Sequence, residues 1–454
     1  MGPNKFYDIH FHAMDLSHAN ITAFIDRFVN NEEEVKKYLK KYLPVWLKVI
    51  GSIFMPLFGP IVPYSLLSKL LSNKIQEESK VRNLLSFMET SVLYDFLIVE
   101  YFLKNSGNKN LQLVSEDNEL DVAGKKYNKI VLCPLIMDFG YNYIKNSDCF
   151  YDIPPQKPVT SQIKDLMSAI STYYKKDISI GYDSNSVTEF KVTDTNIEKG
   201  DKLFEIFPFM SINTENYSIE TIEKMLNKYF ADFSKDDTKE VRYKKLYDAM
   251  GNFKGDLEDE ENCKNIFAGI KLYPPLGFNP WPDDQEEKEK KEKVVLLYET
   301  CVDKNIPITT HCSPGGFLVK NKYRKYTNPS EYWEKVLADS RFSKLKINFA
   351  HMGGDKKNWV NKIFELALNP DHNIYTDFSC NGITGDYYEK LRNKIVTYEA
   401  QINDKILYGS DFMINLLKIK SLNEYMECFI ESNYLTNNQK IKFINENPEN
   451  FLFG

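Results

Sequence analysis

Apolar residues fall into short, β-branched runs separated by longer stretches in which apolar positions recur every three to four residues. The runs are KFYDIHFH from Lys5, KIVLCPLIMDF from Lys129, LFEIFPFMSI from Leu203 and FAGIKLYPP from Phe267. They continue with IPITTHCSP from Ile306, KINFAHMGG from Lys346, NIYTDFSC from Asn373 and KILYGSDFM from Lys405. Each is nearly continuous rather than alternating, which suits a parallel strand buried on both faces. Helical stretches precede the fifth, sixth and seventh runs: KEKKEKVVLLYETCVDKN, SEYWEKVLADS and KNWVNKIFELALN. Strand and helix alternating in this way predict an α/β fold, a (β/α)8 TIM barrel. Polar residues collect at the C-terminal ends of the runs, where this fold builds its active sites.

Two stretches are too long for simple crossovers. One spans about residues 13–127, after the first strand, and the other about 140–202, after the second. The first holds the amphipathic pattern EEEVKKYLKKYL and a helix over VRNLLSFMETSVLYDFLIVEYFLKN. The second holds a Pro-rich turn (DIPPQKP), a helix over SQIKDLMSAISTYYKK and a hairpin. Both read as insertions over the barrel mouth, so residues 1–454 form one domain. The uncharged run Val49–Leu67 approaches membrane-spanning length, but Pro56, Pro60 and Pro63 interrupt it. An interior proline costs a helix about 3 kcal/mol, which argues against a spanning segment; the run reads as a helix–turn–helix lid, with membrane-surface or partner contact as the alternative.

The composition, 43% hydrophobic and 27% charged, supplies a large core. A net charge of -6 excludes a general nucleic-acid binder, which carries a basic face. Seven scattered cysteines, with no CxxC pair, form no disulfide framework and suit a reducing cytoplasm. The opening MGPNKFYDIHFH shows no secretory pattern, and Phe6 stands where a myristoylation motif wants Ser or Thr. A homo-oligomer is compatible with all of this.

The chemistry concentrates in a few histidines. His10 and His12 are two apart on the first strand, so alternation turns both into the barrel mouth as a natural pair of metal ligands. His311 ends the fifth strand, His351 the sixth and Asp411 the eighth. A carboxylate among neutral imidazoles suits zinc or a similar divalent ion with an open position. Asp8 shares the face of His10, and Asp377 ends the seventh strand; both are placed to orient ligands from behind. Tyr273 lines the pocket from the fourth strand. Cys312 is turned away by alternation and reads as packing, while His18 and His372 read as surface or loop residues.

In this order DIHFH, GIKLYPP, THCSPGG, AHMGG and YGSDF resemble the strand-end motifs of the amidohydrolase superfamily. They are closest to its amidohydrolase-related branch, which includes the aminocarboxymuconate-semialdehyde decarboxylase-like enzymes, and the closing NPENFLFG resembles that branch too. The resemblance covers the start of the chain and roughly Phe267 onward, and leaves 13–202 unmatched. It implies that His10, His12, His311 and Asp411 bind one divalent metal, zinc first, with manganese or iron as alternatives. It also implies that Asp411 moves protons and that His351 polarises the substrate or assists proton transfer. Some superfamily members carboxylate a lysine at the position of Lys271 to bridge two metals. The expectation here is an unmodified Lys271 that binds a substrate carboxylate or is paired inside the barrel.

The function implied is metal-dependent hydrolysis of an amide, ester or lactone bond in a small molecule. The runner-up is non-oxidative decarboxylation on the same scaffold, with Lys271 and Arg324 as the cations that would favour it. A non-catalytic binding protein is the third reading, and the complete ligand set speaks against it.

Overall fold

The computed structural model describes residues 4–15, 17–18, 84, 87–88, 90–105, 112–139, 158–182, 187–283, 285, 287–318, 320–354, 356–398 and 400–454. Strand β1 (Lys5–Phe11) is followed by the hairpin β2 (Leu120–Val122) and β3 (Lys125–Tyr127), then β4 (Lys129–Pro134). A second antiparallel hairpin, β5 (Lys176–Tyr182) and β6 (Val187–Asp194), precedes β7 (Phe204–Ile206) and β8 (Phe209–Ser211). The rest are β9 (Gly269–Leu272), β10 (Ile308–His311), β11 (Lys346–Ala350), β12 (Asn373–Asp377) and β13 (Ile406–Leu407).

Leaving the hairpins aside, these strands make two parallel sheets, ordered β1-β4-β7 and β13-β12-β11-β10-β9-β8. The third apolar run, expected as one strand, is split into β7 and β8. Pro208 lies at the split; it has no N–H to donate to a ladder, so the chain turns there from pairing with β4 to pairing with β9. Single bridges join the two sheets at both ends. Phe11 pairs with Phe412, with Ile9 N donating to Tyr408 O over 3.2 Å. Leu135 pairs with Phe209, with Ile136 N donating to Phe209 O over 3.2 Å. The strands therefore follow the chain order of a TIM barrel, with two seams of single bridges in place of regular ladders.

The interior is assembled by register. Ile270, Ile308, Ile347 and Ile374 face one another across β9 to β12, and all are fully buried. Each contributes roughly 1.5–3 kcal/mol by leaving water, and a carboxylate in place of Ile308 would break the row. The outer helices bury one stripe each. In Lys288–Asp303 the stripe is Val294, Leu297, Tyr298 and Cys301; in Lys357–Leu368 it includes Val360, Ile363, Phe364 and Ala367. The helix Tyr332–Ala338 starts with a capping box in which Glu331 and Glu334 bond each other's backbone.

Of the first insertion, the chain from Val81 to Asn105 was expected to be one helix. It is interrupted: Ser91 takes an extended backbone, accepts from Leu93 N and starts a 3-10 turn that runs into the helix Asp95–Lys104. Of the second, Val159–Lys175 is helical and leads into the β5–β6 hairpin. The run Val49–Leu67, the EEEVKKYLKKYL pattern and the turn at DIPPQKP lie outside the described residues, apart from Pro158. No helix among the described residues is long and apolar enough to cross a membrane.

Candidate metal centre

The β1–β4 register shifts between Asp8 and Phe11, a local bulge at the end of the strand that carries His10, with His12 just beyond it. Such an irregularity re-aims side chains, and here both imidazoles reach the same partner. Asp411 Oδ1 lies 3.4 Å from His10 Nε2 and 3.2 Å from His12 Nε2. Asp411 itself sits just beyond β13 with φ of 59°, its N–H given to His10 O over 2.7 Å. A left-handed backbone at a non-glycine residue is costly and persists where surrounding contacts hold it. His351 has the same kind of backbone, with φ of 62°.

The other ring nitrogens decide what faces Asp411. His12 Nδ1 is 2.9 Å from Leu135 O, and a carbonyl only accepts, so this nitrogen carries the proton. His10 Nδ1 is 3.1 Å from Asp377 Oδ2. Burial would raise Asp377, but the imidazoles of His10 and His351 and the Ser379 hydroxyl outweigh it, holding the carboxyl well below its usual range. Asp377 is thus ionised and accepts from His10 Nδ1–H. Burial, then the charge of Lys271, lowers His10 to about 3, so its ring is neutral. Both Nε2 lone pairs then point at a carboxylate oxygen. Burial would raise Asp411 as well, yet His12, His10 and His351 beside it hold the carboxyl well below its usual range and ionised.

Three electron-rich atoms converging with no cation among them repel one another. Either a shared proton or a metal ion resolves this, and the two compete for one place. His10 Nε2 is buried without a hydrogen-bond partner among the described residues. The ligand atoms of His10, His12 and Asp411 lie within 4.8 Å of one another, as do those of His10, His351 and Asp377. The donor set, imidazole nitrogen and carboxylate oxygen, fits a divalent ion such as zinc.

His311 belongs to neither group. Its Nδ1 is 3.1 Å from His351 Nε2, while its Nε2 is 3.1 Å from Ser313 Oγ and 3.3 Å from Gly315 O. Burial, with His351 and Lys271 beside it, keeps His311 neutral. Tyr273 packs its ring 4.8 Å from that of His311, and its hydroxyl accepts Phe317 N–H over 2.9 Å. Asp8 accepts from His10 N (3.3 Å) and Ser410 N (2.9 Å), and burial pushes its carboxyl up to about 7. It holds backbone rather than imidazole. Lys271 is buried and lowered to about 8 by burial, against the pull of Asp377 and Asp411. Arg324 is exposed in the 3-10 segment Asn321–Thr327.

Cys312 is buried, and burial pushes its thiol well up, which suits packing. His18, read as a surface or loop residue, is only 2% exposed and holds Asp165 Oδ2 at 2.9 Å. Its partner comes from the helix Val159–Lys175, a pairing across sequence that no local pattern displays. Two residues of the site were missed altogether. Ser379 Oγ touches His10, His351 and Asp377, and Asn348 Nδ2 donates to Asp377 Oδ2 over 2.7 Å. Ser379 could have been found, since it lies two residues beyond Asp377 in NIYTDFSC.

The family model "Amidohydrolase" matches residues 254–454. His10 and His12 lie outside that match and are tied to Asp411 by geometry. No curated protein matches the sequence. A similar solved structure is that of a probable 2-pyrone-4,6-dicarboxylic acid hydrolase from Acinetobacter baumannii with citric acid bound. It is 13% identical, covers 55% of this chain and 73% of its own, and superimposes with a TM-score of 0.32, too loose a likeness to argue from. Over residues 254–454, less than half of its length, the chain is similar to the amidohydrolase family.

Proposed function

We propose that this protein is a single-domain, cytoplasmic, metal-dependent hydrolase that cleaves an amide, ester or lactone bond of a small molecule. The observation that carries the reading is the convergence of His10 Nε2 and His12 Nε2 on Asp411 Oδ1. His10, His12 and Asp411 would hold one divalent cation. His311 would join them as a further ligand, giving up its contacts with Ser313 and Gly315. When bound, such an ion supplies Lewis acidity and can bring the pKa of water from 15.7 to roughly 7.

The remaining chemistry falls to the chain. Asp411, ionised at neutral pH, accepts the proton of the attacking water and returns it to the leaving group, so no net proton is consumed in that exchange. Asp377 and Leu135 O keep the two imidazoles in the tautomer that leaves Nε2 bare. His351, neutral and buried, assists at the substrate. Lys271 supplies a compact positive charge to a substrate carboxylate, and Tyr273 lines the pocket beside His311.

That buried Lys271 also favours a second reading, decarboxylation of a carboxylated substrate held by the same cation. Purified protein, stripped and reloaded with zinc, manganese or iron, separates the two when assayed against esters, lactones, dipeptides and aromatic acids. We expect about one metal per chain and turnover that depends on it. Failure to bind any of the three ions overturns the metal-dependent reading; two ions per chain would instead point to a carboxylated Lys271.

A further inference from the structure

Ser379 is fully buried just beyond β12, and its hydroxyl touches three groups. Its Oγ is 2.5 Å from Asp377 Oδ1, 2.9 Å from His351 Nδ1 and 3.1 Å from His10 Nδ1. A hydroxyl has one hydrogen and two lone pairs. Asp377 is an acceptor: its Oδ1 also takes the N–H groups of His351 and Ser379, both at 3.0 Å, and its Oδ2 takes Asn348 Nδ2. The single hydrogen of Ser379 must therefore go to Asp377. Both lone pairs are left to accept, and each faces an imidazole Nδ1.

We propose that Ser379 is a positioning residue that fixes the tautomers of His10 and His351 together, its one hydroxyl obliging both rings to carry their proton on Nδ1. The tautomer assignment stands on hydrogen-bond geometry alone; its value to the enzyme rests on the metal-dependent reading above. For His10, the consequence is a bare Nε2 facing Asp411. For His351, it is a bare Nε2 that can accept only from His311 Nδ1, 3.1 Å away. His311 is then obliged in turn to carry its proton on Nδ1, which leaves its own Nε2 bare as a ligand nitrogen. Ser313 Oγ, 3.1 Å from that Nε2, donates to it. At His311 this proton order leaves the 3.3 Å approach of Gly315 O unmatched. A chain of obligations thus runs Asp377, Ser379, His351, His311.

Removing the hydroxyl affects the two rings unequally. His10 Nδ1 keeps Asp377 Oδ2, whereas His351 Nδ1 keeps, among the described residues, only Ser379 O at 3.3 Å. The test is two-bond 1H–15N correlation spectroscopy of the metal-free full chain labelled at histidine, which reads each tautomer directly. We expect His10, His351 and His311 as Nδ1–H in the wild type. In Ser379→Ala the His351 ratio should move toward Nε2–H by roughly tenfold, the size of one lost hydrogen bond, with His311 following. Zinc affinity measured by chelator competition should fall by about tenfold, and Ser379→Thr, which keeps a hydroxyl, should restore the tautomer. A wild-type His351 protonated on Nε2, or an alanine variant with unchanged tautomers, overturns the proposal. The wild-type spectrum alone decides it if the variant fails to fold. A chain showing these tautomers but binding no metal would overturn the proposed function and leave the role of Ser379 standing.

Discussion

Asp377 Oδ2 and His10 Nδ1 meet at 3.1 Å although they are 367 residues apart in sequence. Asp377 is fully buried, and its carboxylate also receives Asn348, His351 and Ser379. An asparagine there has one acceptor oxygen for all these donors and presents an NH2 to the rest. Each unmatched donor costs about 1–3 kcal/mol. Asp377→Asn should therefore lower the thermal midpoint by several degrees and weaken zinc binding by roughly 10- to 100-fold, by analogy with other residues that orient a ligating imidazole. Chelator competition and a thermal melt measure both, and unchanged affinity would remove Asp377 from the site.

Asp411→Asn separates holding a cation from moving a proton. The amide oxygen can still face His10 and His12, but it cannot accept a proton at neutral pH. We expect retained metal and fold, with kcat reduced by about 10²- to 10⁴-fold on any substrate found. Near-normal kcat would show that another group carries the proton.

His311 has its own test in Gly316. The backbone there has φ of +90°, and a Cβ would lie 2.5 Å from the Tyr273 hydroxyl and 2.9 Å from His311 Nε2. Gly316→Ala must therefore displace both side chains as well as strain the turn. Zinc affinity should drop measurably while the barrel stays folded by circular dichroism. If affinity is unchanged, His311 is not a ligand, and His10, His12 and Asp411 hold the ion without it.

What could be read from the chain follows physical range. Strand positions were legible because burial on both faces leaves a nearly unbroken apolar run, and the closeness of His10, His12 and Asp411 because strand ends in a parallel barrel point into one mouth. The break at Pro208 was visible as a proline but not as a corner, since that depends on which neighbour each half pairs with. Ser379 and His18 escaped because their partners come from distant elements: β1 and the segment after β11 for Ser379, the helix Val159–Lys175 for His18. The apolar run Val49–Leu67, with Phe54 and Phe58, was expected to cover the mouth and lies outside the described residues.

Lys346, at the start of β11, offers a test of stability rather than chemistry. Its ammonium donates to Gly454 O, yet burial, reinforced by the charges of Arg242 and Lys239, lowers it from 10.5 to about 7. Below about pH 7 the folded and unfolded chains both carry this proton, and the full cost of burying the charge is present. Between about 7 and 10.5 only the unfolded chain binds it, so stability rises with pH across that window; above 10.5 neither does and the cost is gone. Lys346→Met removes the titrating group while filling much of its volume. The difference in unfolding free energy between variant and wild type should therefore shift in favour of the wild type as pH rises from 7 toward 10, by on the order of 1–4 kcal/mol. Urea unfolding at pH 7 and pH 9.5 measures the shift, whatever constant offset the lost bond to Gly454 contributes. Parallel pH profiles for the two proteins would mean that Lys346 keeps its proton when buried, and that the Gly454 oxygen outweighs desolvation at this site.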